Sequence, residues 1–442
     1  MQQQSSHTDE RDQRSAATTR EGRDQAPEVS RQTDGAEFPA SLSSPPGRLR
    51  QPGRKRYALI TTVFLLLVAA SAALLPVLFE QPTRLTATAQ SVAATMVGHL
   101  AFSNSGQLNA TSSQGLNDVV HLDLRGLTPP APGKSDFAWL LPDTSQDELQ
   151  PVLLGALQIR GGAALLSYTS PNHTNLLATY SRFLVTEGSA SEKPLLPSLD
   201  PATWRYTGSV PDAPAPGDAN HYGLLDHLRH LLAKDPTLAA IGLSGGLDIW
   251  LYRNAGKILE WSSAARDDWS GGQAALALMR RQIDRVVEYL DGTDYAWRDL
   301  PPGTPFLVDP KAGHIGLLEI VQQQNPPGYL AHVDLHLVGL SNSPGVTAAQ
   351  KQLAIKLDAM LHAATLLMQR VHADAVQLAK MSDAALLAPQ ALSLLNDMDT
   401  NTNAAFAGQF NPATGEVQGG ITEIQGEIQL LASVEVSTVA GN

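Results

Sequence analysis

The segment VVHLDLRGLTPPAPGKSDFAWLLP, residues 119–142, decides how the first half of this chain folds. Val120, Leu122 and Leu124 alternate with His121, Asp123 and Arg125. That period of two puts the apolar side chains on one face of a strand. A break with Pro129, Pro130, Pro132 and Gly133 follows, and then a second apolar run from Phe137 to Leu141. The pattern is strand, turn, strand. Working outward, further short runs fall at 97–102, 152–159, 163–168 and 182–186, separated by Gly, Pro, Asn and Ser. Regular turn spacing of this kind predicts an antiparallel β-sandwich over residues 84–200.

The same region resembles the extracytoplasmic domain of anti-sigma-K-type anti-sigma factors. The residues that carry the resemblance are Leu122 to Leu127, Gly133, Phe137, Trp139, Leu140, Leu141, Pro142, Pro151, Val152, Leu154 and Gly155. The resemblance implies a folded β module outside the cytoplasm, with Trp139 in its core and a regulatory role. Members of that family commonly add a cytosolic helical domain that binds the sigma factor, often with a His/Cys zinc signature. Here the N-terminal tail has no Cys and a single His, His7.

Residues 201–219 are rich in Pro, Gly and Asp and read as a linker. Beyond them the period changes to that of amphipathic helices. Leu224, Leu225, Leu228, Leu231 and Leu232 share a face over 221–233. Leu276, Met279, Ile283, Val286, Val287 and Leu290 do so over 273–290. A long stripe runs through 346–381, opened by the capping box Thr347-x-x-Gln350, and a last helix is expected at 421–434. Residues 220–442 therefore read as a helical bundle domain. One β-hairpin is expected to interrupt it at 314–338, because Asn325-Pro326-Pro327-Gly328 looks like its turn and AHVDLHLVGL alternates like a strand. That decapeptide also echoes VVHLDLRGL, so a duplicated unit is weighed against chance.

At the other end, residues 57–79 carry no charge and are dominated by Leu, Val, Phe and Ala. As a helix they would be about 34 Å long, enough for a hydrocarbon core of about 30 Å. Arg54, Lys55 and Arg56 precede this stretch, whereas Arg84 is the one basic residue soon after it. The basic flank predicts a single transmembrane helix in the plasma membrane, with residues 1–56 cytoplasmic and 80–442 outside. A cleaved signal peptide is the competing reading, disfavoured by the long leader and long apolar run. Residues 1–56 are polar and nearly free of aromatics, which predicts a disordered tail ending in a basic juxtamembrane segment. The whole is an α+β multidomain chain.

Composition excludes several chemistries. With no Cys in 442 residues, disulfides, thiolate catalysis and Cys–zinc sites are ruled out. The net charge of −12 disfavours nucleic acid as a partner. Phosphate loops are missing. The Gly-rich pairs at 245–246 and 271–272 read as helix breaks or caps. Asp397, Asp399, Asn401 and Asn403 start like a calcium loop, but Thr402 and Gly408 stand where that loop needs Gly and Glu. Glu260, Asp267 and Asp268 read as solvated carboxylates, and Trp250, Tyr252, Trp261 and Trp269 as packing residues.

The remaining candidate is His332, Asp334 and His336. On a strand they would share one face and could hold zinc or another divalent metal; the alternative is an exposed polar face. His227 and His230 are three apart on a helix, where surface or interhelical hydrogen bonding is set against ligation. The expectation is a membrane-anchored binding, sensing or regulatory module. It is not an enzyme and needs no cofactor. Its partners would be membrane lipid at 57–79 and a protein at the cytoplasmic tail or ectodomain. A metal-binding extracytoplasmic protein and a structural envelope protein are the alternatives.

Overall fold

In the computed structural model, residues 94–106, 112–146, 148–218 and 220–439 are described. The tail at 1–56 and the apolar stretch at 57–79 lie outside them. Among the described residues, no helix is long and apolar enough to cross a membrane.

The alternating runs of the first half become seven strands: β1 (Met96–Ser103), β2 (Val119–Arg125), β3 (Lys134–Pro142), β4 (Val152–Ala156), β5 (Ala163–Thr169), β6 (Tyr180–Ser189) and β7 (Trp204–Ser209). In β2 the buried residues include Val120, Leu122 and Leu124, in the period of two, with Val119 buried beside them. Trp139 is fully buried in β3, and its Nε1 donates to Thr186 Oγ1 of β6 at 3.0 Å. The strand β7 falls within the stretch read as a linker. Its Tyr206 is buried and pairs with Val185, so 201–219 carries part of the sheet.

The expected two-sheet sandwich is corrected to one antiparallel sheet. Eight strands bond in the order β4-β3-β6-β7-β10-β1-β2-β5, where β10 is Ser433–Thr438 at the end of the described chain. β10 pairs with β1 through Leu100 opposite Val434 and with β7 through Thr207 opposite Ser437. The sheet curls until its edges meet. A Cβ placed on Gly155 of β4 would lie 3.2 Å from Leu166 Cδ1 of β5. The sheet is nearly closed, with its edge strands β4 and β5 in contact but not paired. The last expected helix, 421–434, is correspondingly shorter, and its final residues leave the helical path to enter β10.

Between β7 and β10 run the helices α1 (Leu224–Leu232), α2 (Pro236–Ala240), α3 (Leu247–Asp268), α4 (Leu276–Asp291), α5 (Tyr329–Asn342), α6 (Ala348–Ala379), α7 (Asp383–Leu386), α8 (Pro389–Ala407) and α9 (Ile421–Ile428). The capping box of α6 forms as expected: Gln350 N donates to Thr347 Oγ1 and Thr347 N to Gln350 Oε1, both at 3.1 Å. Gln350 Nε2 also donates to Leu431 O and Ser433 O, which ties α6 to the entrance of β10.

The hairpin expected at 314–338 is a misreading. Tyr329–Asn342 is α5, with Gly328 at its N-cap, and Asn325-Pro326-Pro327-Gly328 is a helix start. The alternation of AHVDLHLVGL also fits a helix whose buried apolar residues include Leu330, Val333, Leu337 and Leu340. Since VVHLDLRGL is a strand and AHVDLHLVGL a helix, the two are not copies of one unit. A small hairpin does form elsewhere, from β8 (Gln409–Asn411) and β9 (Glu416–Gln418). Asp397 and Asp399 lie on α8 and not in a loop.

Sheet and helices share a single buried cluster within the unit Thr88–Asn442. Polar ties fix α1 against the sheet loops. Arg229 donates Nη1 and Nη2 to the two oxygens of Asp143 at 2.8 Å each, and Nε to Leu177 O at 2.9 Å. Burial would raise the Asp143 carboxyl, but the Arg229 hydrogen bonds hold it below its ordinary value. Asn117 and Asn175 donate to the carbonyls of Leu232 and Ala233 at the end of α1. Because the Arg229 charge is buried, removing its partner leaves it uncompensated. Asp143→Ala is expected to lower unfolding free energy by about 3–5 kcal/mol, measured by denaturant titration.

A second buried acid sets a pH dependence. Glu288 of α4 is fully buried; its Oε2 accepts from Leu307 N and Val308 N, while Oε1 has no partner. Burial pushes its pKa up to about 7 from 4.5. A raised acid favours the protonated folded state, so stability falls as pH rises from the unfolded pKa to the folded one. Melting curves between pH 4.5 and about 7 should show that decline. Glu288→Gln keeps an acceptor for the two N–H groups and should stabilise the chain above that window by on the order of 2 kcal/mol.

Candidate metal centre

Four imidazoles and one carboxylate converge where α1 meets α5. His227 and His230 are three apart on α1, and His332 and His336 four apart on α5, so each pair shares a helix face. Asp235 is the N-cap of α2. Its Oδ1 accepts from Thr237 N at 2.9 Å and Leu238 N at 3.1 Å. That capping role leaves Oδ2 pointing into the cluster, 4.0 Å from His230 Nδ1 and 3.9 Å from His332 Nε2.

Packing is close. His227 Nδ1 lies 3.0 Å from His336 Nδ1. The His230 and His336 rings stand 4.7 Å apart, and those of His332 and His336 5.1 Å apart. Tyr222 covers His230 edge-on at 4.8 Å. On α5, Gly339 makes room for the His227 ring: a Cβ there would sit 2.2 Å from His227 Cε1. One donor atom each of His230, Asp235 and His336 lies within 4.8 Å of the others. Donors on a tetrahedral zinc are about 3.3 Å apart, given bonds of 2.0–2.1 Å, so modest side-chain rotations bring these together.

The cluster is dry and under-bonded. His227, His332, His336 and Asp235 are all buried. His227 Nε2, His230 Nδ1, His332 Nδ1 and Asp235 Oδ2 have no hydrogen-bond partner. Such orphaned buried atoms are costly unless something satisfies them. Burial lowers the pKa of His227, His230 and His332. For His336, burial and the three neighbouring histidines push it down to about 2. These rings are neutral at physiological pH, the form that offers a lone pair to a cation.

Of the three residues picked from the sequence, His332 and His336 enter this cluster and Asp334 does not. On a helix Asp334 is rotated away, toward Asp358 and His362 of α6. Burial and the Asp358 contact push its carboxyl up to about 6. His227 and His230 face α5 rather than a solvated flank, and His227 makes with His336 the interhelical hydrogen bond that was the alternative to ligation. Asp235 was missed. Two helical His pairs, spaced three and four, were the available signal once α5 is read as a helix. Comparison with protein-family models, curated proteins and solved structures gives no match.

Proposed function

We propose that this chain is a metal-binding protein whose centre is formed by His230, Asp235 and His336, with His227 and His332 as further donors. The observation that carries the reading is the convergence of one donor atom each from His230, Asp235 and His336, with His230 Nδ1 and Asp235 Oδ2 buried and without a hydrogen-bond partner. A divalent cation there would satisfy His230 Nδ1 and Asp235 Oδ2 together. Imidazoles with one carboxylate suit zinc, and also iron, nickel or copper. Held on helices pinned to the sheet, the donors are preorganised. If residues 57–79 anchor the chain, the centre faces the extracytoplasmic side.

A second reading gives the bound metal a sensing role. The string that resembles anti-sigma-K-type factors lies in β2, β3 and β4 of the same compact unit as the histidines, which supports a regulatory use of the metal. Crosslinking of residues 1–56 to cytoplasmic proteins should then change when metal is chelated; an unchanged pattern removes that reading.

The metal itself is tested with the chelator-stripped full chain in detergent. Zinc should raise the melting temperature, and ligand at about 100 times Kd adds about 2.7 kcal/mol. His336→Leu should lose this zinc-induced shift, because it removes one of the three converging donors. Asp334→Asn should keep the zinc response. A double variant His230→Leu/His336→Leu that takes up zinc as the wild type does would overturn the proposal.

A further inference from the structure

A different group of donors lies where α4 ends. Asp291 is the last residue of α4, Asp299 follows a short 3-10 turn at Ala296–Arg298, and His372 projects from α6. His372 Nε2 is 2.9 Å from Asp291 Oδ1 and 3.4 Å from Asp299 Oδ2. One donor atom from each of the three lies within 4.8 Å of the others.

Asp291 is fully buried. Neither of its oxygens, nor His372 Nε2, makes an aligned hydrogen bond, although nitrogen and oxygen are close. A carboxylate wholly removed from water is strongly penalised unless a positive group meets it. Lys380 lies near this group, 3.4 Å from Asp299 Oδ1, but it is half-exposed and touches the outer carboxylate. Asp291 at the back is left facing the imidazole.

The front of the group opens on a cavity of about 450 Å³. Asp299 and His372 form part of its wall, and Leu317, Ile320 and Leu330 give it apolar surface. Asp334 and His362 also line it. The acid set aside by the histidine centre therefore faces this second space.

We propose that Asp291, Asp299 and His372 form a second divalent-cation site, with its free coordination positions turned toward this cavity. Two carboxylates and one imidazole are a harder donor set than the histidine centre and suit manganese or iron(II) as well as zinc. Three protein ligands and an open position are the arrangement in which a metal binds an exchangeable water or a small oxygen-bearing ligand. A cation would meet the buried Asp291 carboxylate that the His372 imidazole now faces. This site shares no residue with the histidine centre and does not rest on it.

Manganese(II) is the probe, used with the chelator-stripped full chain in detergent. Loss of the free-ion electron paramagnetic resonance signal measures binding, and water-proton relaxation reports an exchangeable inner-sphere water. The wild type should bind the ion with enhanced relaxation. Asp299→Asn and His372→Gln, both at partly exposed positions, should each weaken binding by about 100-fold or more. Asp291→Asn should do the same if it folds; the other two carry the test if it does not. His230→Leu/His336→Leu should leave manganese binding intact, which separates this proposal from the first. Three outcomes would overturn it: wild-type binding in the double variant Asp299→Asn/His372→Gln, no binding at millimolar manganese, or bound manganese without relaxation enhancement.

Discussion

The insertion of β10 between β7 and β1 is the constraint on which the rest depends. A strand formed by residues 433–438 hydrogen-bonds to one that ends at Ser103 and one that ends at Ser209. The sheet is incomplete until the end of the chain arrives. Everything between β7 and β10, including every α-helix among the described residues, is an excursion clamped at both ends. Gln350 reinforces the clamp by joining the cap of the long helix to the entry of β10. Long-range pairing of this kind is slow to form, because loop-closure entropy comes before its reward. Once formed, it makes the helices and the sheet one cooperative body.

That body holds the two helices that carry the histidines. α1 is tied to the sheet side by the buried Arg229–Asp143 pair and by the Asn117 and Asn175 amides. Its partner α5 approaches so closely that only a glycine fits opposite His227. Such rigidity suits a site that must present several neutral imidazoles at once. It also means that the cost of stripping those rings of water is not relieved by rearrangement. A stable core would place leucines there, and polar groups kept in such positions usually answer to function rather than to stability. Asp235 shows the economy of the arrangement: one oxygen caps α2 and the other faces the histidines.

Much of the sheet was legible because β-strands with one buried face alternate. Val120, Leu122 and Leu124 in β2 are the clearest case, and the buried Trp139 the next. What alternation does not specify is partnership, so a single curled sheet was taken for two stacked ones. β10 escaped notice because SVEVST is short and follows directly on the apolar repeat of α9. The stretch AHVDLHLVGL misled for a related reason. Its apolar residues satisfy period two and, less visibly, the helical period, and the prolines before it suit a turn as well as a helix start. That one error in period turned Asp334 into a supposed partner of His332 and His336. It also hid the real partners, which come from a helix about a hundred residues earlier in the chain. Asp235, Asp291 and Asp299 sit at helix ends and turns, where acidic residues are common, so only three-dimensional convergence distinguishes them. The tail and the apolar stretch at 57–79 lie outside the described residues, and the membrane reading rests on the sequence.

The measurement that bears most directly on the central claim is a crystallographic anomalous-difference map at the zinc absorption edge, from the chain supplied with zinc. The account predicts a peak between α1 and α5, bonded to His230 and His336 nitrogens and to Asp235 Oδ2 at about 2.0–2.2 Å. A map with no peak there, in which the imidazoles instead hydrogen-bond to one another and to ordered water, would contradict it.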